Sequence, residues 1–137
     1  MADTPAPARK LAAPEPNVET QPFWDGASQG TLLIKRCGAC GEPHYYPRAL
    51  CPFCLSTDTR WEETAGTGTI YSLSTMRRGA GAPFTLAYVT LDEGPAVLTN
   101  IDAPPDGLAI GQRVRVRFVP TEGGPPVPLF APVFAPE

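Results

Sequence analysis

The 137-residue chain has 42% hydrophobic residues, a formal net charge of −3 and a single histidine. That length suits one compact domain or two small ones, and the charge gives no chain-wide positive field for nucleic acid or anionic membrane. No apolar run approaches the ~18 residues of a membrane span, and the opening MADTPAPARKLAAPEPNV lacks the apolar core of a secretory signal.

A soluble cytoplasmic protein with reduced thiols is therefore expected. With 18 prolines and 13 glycines, the composition stops just short of the range, roughly 25–30%, where low complexity becomes the default. Residues 1–18 read as a flexible Pro/Ala-rich tail, too poor in apolar surface to repay ordering. ETQPFWDGASQGTLLI follows; its Phe23–Trp24 pair and Gly30 predict a short helix that pins two aromatic rings on something apolar. TLLIKRC then predicts a strand running into the first cysteine.

Beyond Cys54 the pattern becomes all-β. GTGTIYSLSTMRR (66–78) alternates and is rich in Thr, Ile and Tyr. PFTLAYVTLDEGPAVLTNI (83–101) predicts a hairpin turning at DEGP. RVRVRFVP (113–120) places Val114, Val116 and Phe118 on one face and Arg113, Arg115 and Arg117 on the other. VPLFAPV adds a last short strand. About five short strands are too few for an immunoglobulin-type sandwich, and a closed five-stranded OB-type barrel buries them without long open edges.

The four cysteines are Cys37, Cys40, Cys51 and Cys54, spaced C-x2-C-x10-C-x2-C. Each C-x2-C turn can present two thiolates to one ion, and the two turns complete a tetrahedron. CGACG supplies glycines for the tight turn, and CPFC a proline that presets another. The expected cofactor is one structural Zn²⁺, although spacing alone leaves a single iron or an iron–sulfur cluster open. Four thiolates fill the shell, so the ion holds the fold instead of activating water.

Little else in the sequence offers catalysis. His44 reads as a partly exposed residue of the cysteine loop, and one His with four committed cysteines builds no nucleophile–base pair. Arg113, Arg115 and Arg117 read as a solvated face, with an anion-contacting face for nucleotide phosphates or nucleic acid as the alternative. Arg77 and Arg78 open RRGAGAPF, the loop that borders the usual ligand face in OB barrels, and are the candidate contacts to a phosphate-bearing ligand. Tyr45 and Tyr46 read as packing for the loop. Phe23, Trp24, Leu32 and Leu33 fit either local core or an exposed patch for a partner.

In order, PFWDGASQGTLLIKRC, CGACGEPHYYPRALCPFC, RWEETAGTGTIYS, YVTLDEGPAVLTNI, IGQRVRVRF and PLFAP resemble the acyl-CoA-associated zinc-ribbon plus OB-fold family (domain of unknown function thirty-five). The resemblance runs from about Pro22 to Pro132. It implies a mainly β fold: a short N-terminal helix plus a rubredoxin-like zinc ribbon over 19–64, then the five-stranded OB-fold barrel over 65–137. It also implies a non-catalytic accessory subunit whose ribbon and helices dock on a thiolase-superfamily or hydratase-like enzyme and whose barrel helps enclose the CoA thioester. A heterotetramer built on a partner dimer is the expected assembly, and steroid side-chain degradation the leading pathway. The alternative is a single-stranded nucleic-acid-binding ribbon and barrel, suggested by nine arginines against two lysines and opposed by the net charge and the scarcity of stacking aromatics.

Overall fold

The structure is a computed structural model that describes residues 11–77 and 82–133. Its first element is the helix α1 (Gln21–Ser28). Asn17 and Thr20 set up its entry: each backbone N–H donates to the other's side-chain oxygen, at 3.0 and 2.9 Å. Pro22 occupies the first turn, where a missing N–H costs nothing. The helix stops at Gly30, whose φ of 82° is the left-handed conformation of a helix C-terminus. Phe23, Trp24 and Ala27 turn inward and are buried.

Next comes a three-stranded antiparallel sheet of order β2–β1–β3, with β1 at Leu33–Cys37, β2 at Pro43–His44 and β3 at Thr59–Glu63. Neither β2 nor β3 was expected. Two residues carry no alternation to detect, and TRWEE hides a strand because its outward charges outweigh the single Trp61. Ile34 is fully buried on β1 and Phe23 packs beneath, meeting Trp24 and Tyr45 edge to face at 4.8 and 5.7 Å. That packing decides the open question about α1. Phe23 and Trp24 are 1% and 7% exposed, so they form core and no docking patch.

Thr64 hands the chain on, its N–H and hydroxyl both donating to the Leu32 carbonyl. The barrel follows: β4 (Thr67–Met76), β5 (Phe84–Leu91), β6 (Ala96–Ile101), β7 (Arg113–Val119) and β8 (Val127–Pro132). Its strand order is β4–β5–β6–β8–β7, closed by β7 pairing back to β4. This is the five-stranded OB-type barrel that the alternation predicts. Ile70, Val89, Leu91, Val97, Val114 and Phe130 fill the interior, each at most 2% exposed. The buried Thr85 hydroxyl meets that of Thr75 at 2.9 Å, and Thr99 donates to backbone carbonyls, so the polar atoms inside are satisfied. Gly68 is required by close approach: a Cβ there would lie 2.5 Å from the Thr90 carbonyl oxygen.

Among the described residues, no helix is long and apolar enough to cross a membrane. Residues 1–10 of the expected tail lie outside the described residues. Leu11 is held by the barrel, its carbonyl accepting from the Glu122 N–H at 3.2 Å in the β7–β8 connection.

Candidate metal centre

β1 ends on Cys37, and the turn after it brings Cys40 back alongside. Cys37 N–H donates to the Glu42 carbonyl, and Gly41 N–H to the Cys37 carbonyl. The second turn repeats this layout: Cys51 N–H donates to Ser56 and Leu55 N–H to Cys51. Backbone N–H groups also point at sulfur, from Ala39 and Cys40 to Cys37 Sγ at 3.3 and 3.4 Å, and from Phe53 to Cys51 Sγ at 3.4 Å. Such bonds favour thiolate over thiol.

The two turns face each other. All four Sγ atoms lie within 4.8 Å of one another, with Cys37–Cys54 at 3.6 Å and Cys40–Cys51 at 3.7 Å. A disulfide would need about 2.05 Å. A tetrahedral ion with bonds of about 2.3 Å sets sulfurs about 3.8 Å apart, so the donor set fits zinc. The thiols cannot all ionise unaided. The Cys40 N–H draws Cys37 down to about 6. The Glu42 N–H pulls Cys40 down too, but desolvation and the neighbouring sulfurs outweigh it and push that thiol up to about 12. A bound dication supplies the missing compensation.

Arg36 ties this centre to the sheet. Its guanidinium grips Glu62 with two bonds of 2.8 and 3.1 Å and donates to the Gly41 carbonyl at 2.9 Å. His44 departs from expectation: it is 6% exposed, because pairing with Lys35 on β1 turns its ring inward. Burial, aided by the Lys35 charge, pushes its pKa down and keeps it neutral at pH 7. Lys35 is itself buried, donating to Thr59 Oγ1 at 3.1 Å and lying 4.7 Å from the Trp61 ring centre. Tyr45 packs on Phe23 as expected, and burial raises its pKa.

The arginines stand apart from the cysteines. Arg113 and Arg117 pair with Asp92 and Asp102 at 2.7 and 3.2 Å on the outside of the barrel, as a solvated face should. Arg77 is exposed just past the end of β4, and Arg78 lies outside the described residues. Nearby, a cleft of about 630 Å³ opens at the barrel end among Pro83, Phe84, Ala103 and Leu129, with Leu11 on its wall. Sequence reasoning missed a further feature: Tyr71, Tyr88 and Leu98 are 71%, 47% and 57% exposed on β4, β5 and β6. The absence of any charge in those three segments was its signal.

Family models match in the order the fold shows: residues 24–60 fit the ChsH2 rubredoxin-like zinc ribbon domain, and 61–119 the ChsH2 C-terminal OB-fold domain. The chain belongs to the ChsH2/DUF35 family. A DUF35 domain-containing scaffold protein of Methanocaldococcus jannaschii is 30% identical over 95 residues, covering 64% of this chain and 67% of the relative. A probable enoyl-CoA hydratase alpha subunit of Thermomonospora curvata is 32% identical over 90% of this chain. The chain spans only 41% of that relative's length.

Among solved structures, a chain of the Ltp2-ChsH2(DUF35) aldolase superposes with a TM-score of 0.76 at 31% identity, covering 87% of this chain and 98% of that one. A DUF35 protein of Sulfolobus solfataricus shares the fold, with a TM-score of 0.60 at 15% identity, over 73% of this chain and 78% of that one. For a ChsH2/DUF35 ribbon the expected cofactor is zinc, and the sulfur geometry agrees with it.

Proposed function

We propose that the chain is a non-catalytic accessory subunit of an enzyme complex acting on acyl-CoA. Its partner is a thiolase-superfamily enzyme, a thiolase or a lipid-transfer-like aldolase, which it stabilises and whose CoA thioester it helps to enclose. The observation that carries this reading is the match over 98% of a ChsH2(DUF35) chain from a two-protein aldolase. The site chemistry agrees. Cys37, Cys40, Cys51 and Cys54 would give a bound Zn²⁺ four sulfur ligands and no open position, so the ion supplies rigidity to the ribbon. His44, the one histidine, is buried away from solvent.

Arg77 and Arg78, together with the barrel-end cleft, are the proposed contact to CoA. The cleft's volume falls in the usual range for small-molecule sites, about 300–1,000 Å³, and apolar side chains dominate its wall. A heterotetramer on a partner dimer is the proposed assembly, and a steroid side-chain thioester the leading substrate.

The test is affinity purification of the tagged chain from its source cells, with mass spectrometry of what accompanies it. A stoichiometric thiolase-superfamily protein is expected, less soluble or less active when the chain is withheld. Recovery of the chain alone, or with nucleic acid, overturns the reading.

A further inference from the structure

The outer face of the β4–β5–β6 sheet has a composition that the fold does not require. None of the residues of these three strands is charged, whereas the adjoining β7 carries Arg113, Arg115 and Arg117 on its outer side. Cross-strand pairing assembles the outward positions into rows. Ser72, Tyr88 and Leu98 form one; Ser74, Leu86 and Asn100 form the next. A β-bulge between Ile70 and Ser72 turns Tyr71 out beside them, the kind of local kink that re-aims a side chain at a functional surface. Between Leu86, Tyr88 and Leu98 lies a shallow hollow of about 230 Å³.

In OB barrels this is the face that binds ligands. Two exposed tyrosines could stack bases, but a single-strand platform also needs Lys or Arg to track the phosphates, and these strands have none. The charge pattern therefore selects against a polyanion and in favour of an uncharged protein surface. Tyrosines around an apolar centre, with no charge to desolvate, have the composition of an interface core.

We propose that this face is where the catalytic subunit docks, inserting a large apolar side chain into the hollow between Leu86, Tyr88 and Leu98. The proposal rests on the accessory-subunit reading above and adds the surface to it. Phe23 and Trp24 of α1 offer no equivalent, being spent on the core.

Leu98→Arg and Tyr88→Glu in the tagged full-length chain test it, with Arg115→Glu on the opposite charge pattern as a control. All three positions are exposed, so zinc content and thermal midpoint should stay at wild-type values and show that each variant is folded. With the wild type recovering a thiolase-superfamily subunit, Leu98→Arg and Tyr88→Glu should each cut the recovered partner about 10-fold or more, as truncation of an interface centre does. Arg115→Glu should leave it unchanged. Full recovery by both folded face variants overturns the docking face while leaving the accessory function standing. A wild type that recovers no such subunit but sediments as a dimer dissolved by Leu98→Arg makes the occupant a second copy, and overturns the proposal. So does salt-dependent binding of single-stranded oligonucleotide that Tyr88→Glu abolishes.

Discussion

Leu55 occupies the place in the second cysteine turn that Gly41 occupies in the first. Both follow the closing cysteine and both are left-handed, with φ of 67° and 80°. Glycine adopts that conformation freely, whereas an L-residue with a side chain gives up about 1–2 kcal/mol. Leu55 is 71% exposed, so packing returns little of it. Leu55→Gly should raise stability by about 0.5–1 kcal/mol after the added chain entropy of glycine, read as a higher urea midpoint at unchanged zinc content. A lower midpoint would show that Leu55 has a native contact worth more than the strain.

A second residue-scale effect belongs to Asp92. Arg113 donates to its two oxygens at 2.7 and 2.8 Å and Thr67 to one of them at 2.5 Å, which holds the carboxyl down at about 2. A depressed folded pKa stabilises above the ordinary carboxylate value, about 4, and that contribution is lost as pH falls toward 2. Asp92→Asn should therefore melt below the wild type at pH 6, with the gap closing between about pH 4 and 2. A gap that persists at pH 2 would trace the difference to the altered hydrogen bonds and not to charge.

At the scale of elements, the ribbon and the barrel are stabilised by different means. The barrel has its own interior in Ile70, Val89, Val97, Val114 and Phe130. The ribbon has short strands, one of two residues, and relies on the joint between its two cysteine turns. Cys51→Ser removes a buried ligand from that joint. Zinc content should fall to near zero, and limited proteolysis should cut between 37 and 58 while leaving a barrel fragment that mass spectrometry identifies. Complete digestion would instead mean that the barrel depends on the ribbon.

The same contrast explains what could be read in advance. Strand β7 announces itself because Val114, Val116 and Phe118 alternate with arginines, and the cysteine spacing specifies two opposed turns without further context. Strand β3 does not, since Glu62 and Arg60 face outward and Arg36 on the neighbouring strand is what holds Glu62. The burial of His44 is hidden for a related reason: only its register opposite Lys35 sends the ring inside, and register is a property of two strands together.

At the scale of the whole molecule, one side of the barrel is set apart by its lack of charge. Ion pairs line the ribbon sheet at Arg36–Glu62 and the β7 side at Arg113–Asp92 and Arg117–Asp102, while the β4–β5–β6 face has no charge. That partition was hidden in the sequence. Tyr71, Tyr88 and Leu98 come from three separate segments, and each alone is an ordinary exposed apolar residue. Pairing across strands makes them a surface. The barrel order has a consequence for how the protein is made. Strand β8, the last of the described strands in chain order, inserts between β6 and β7, meeting β6 in parallel at Ile101 and Phe130. On the ribosome, both cysteine turns emerge long before β8, so the ribbon can be loaded with metal while the barrel is still open along β6 and β7. During that interval the nascent chain exposes two unpaired strand edges, and the interval ends only when residues 127–132 leave the exit tunnel.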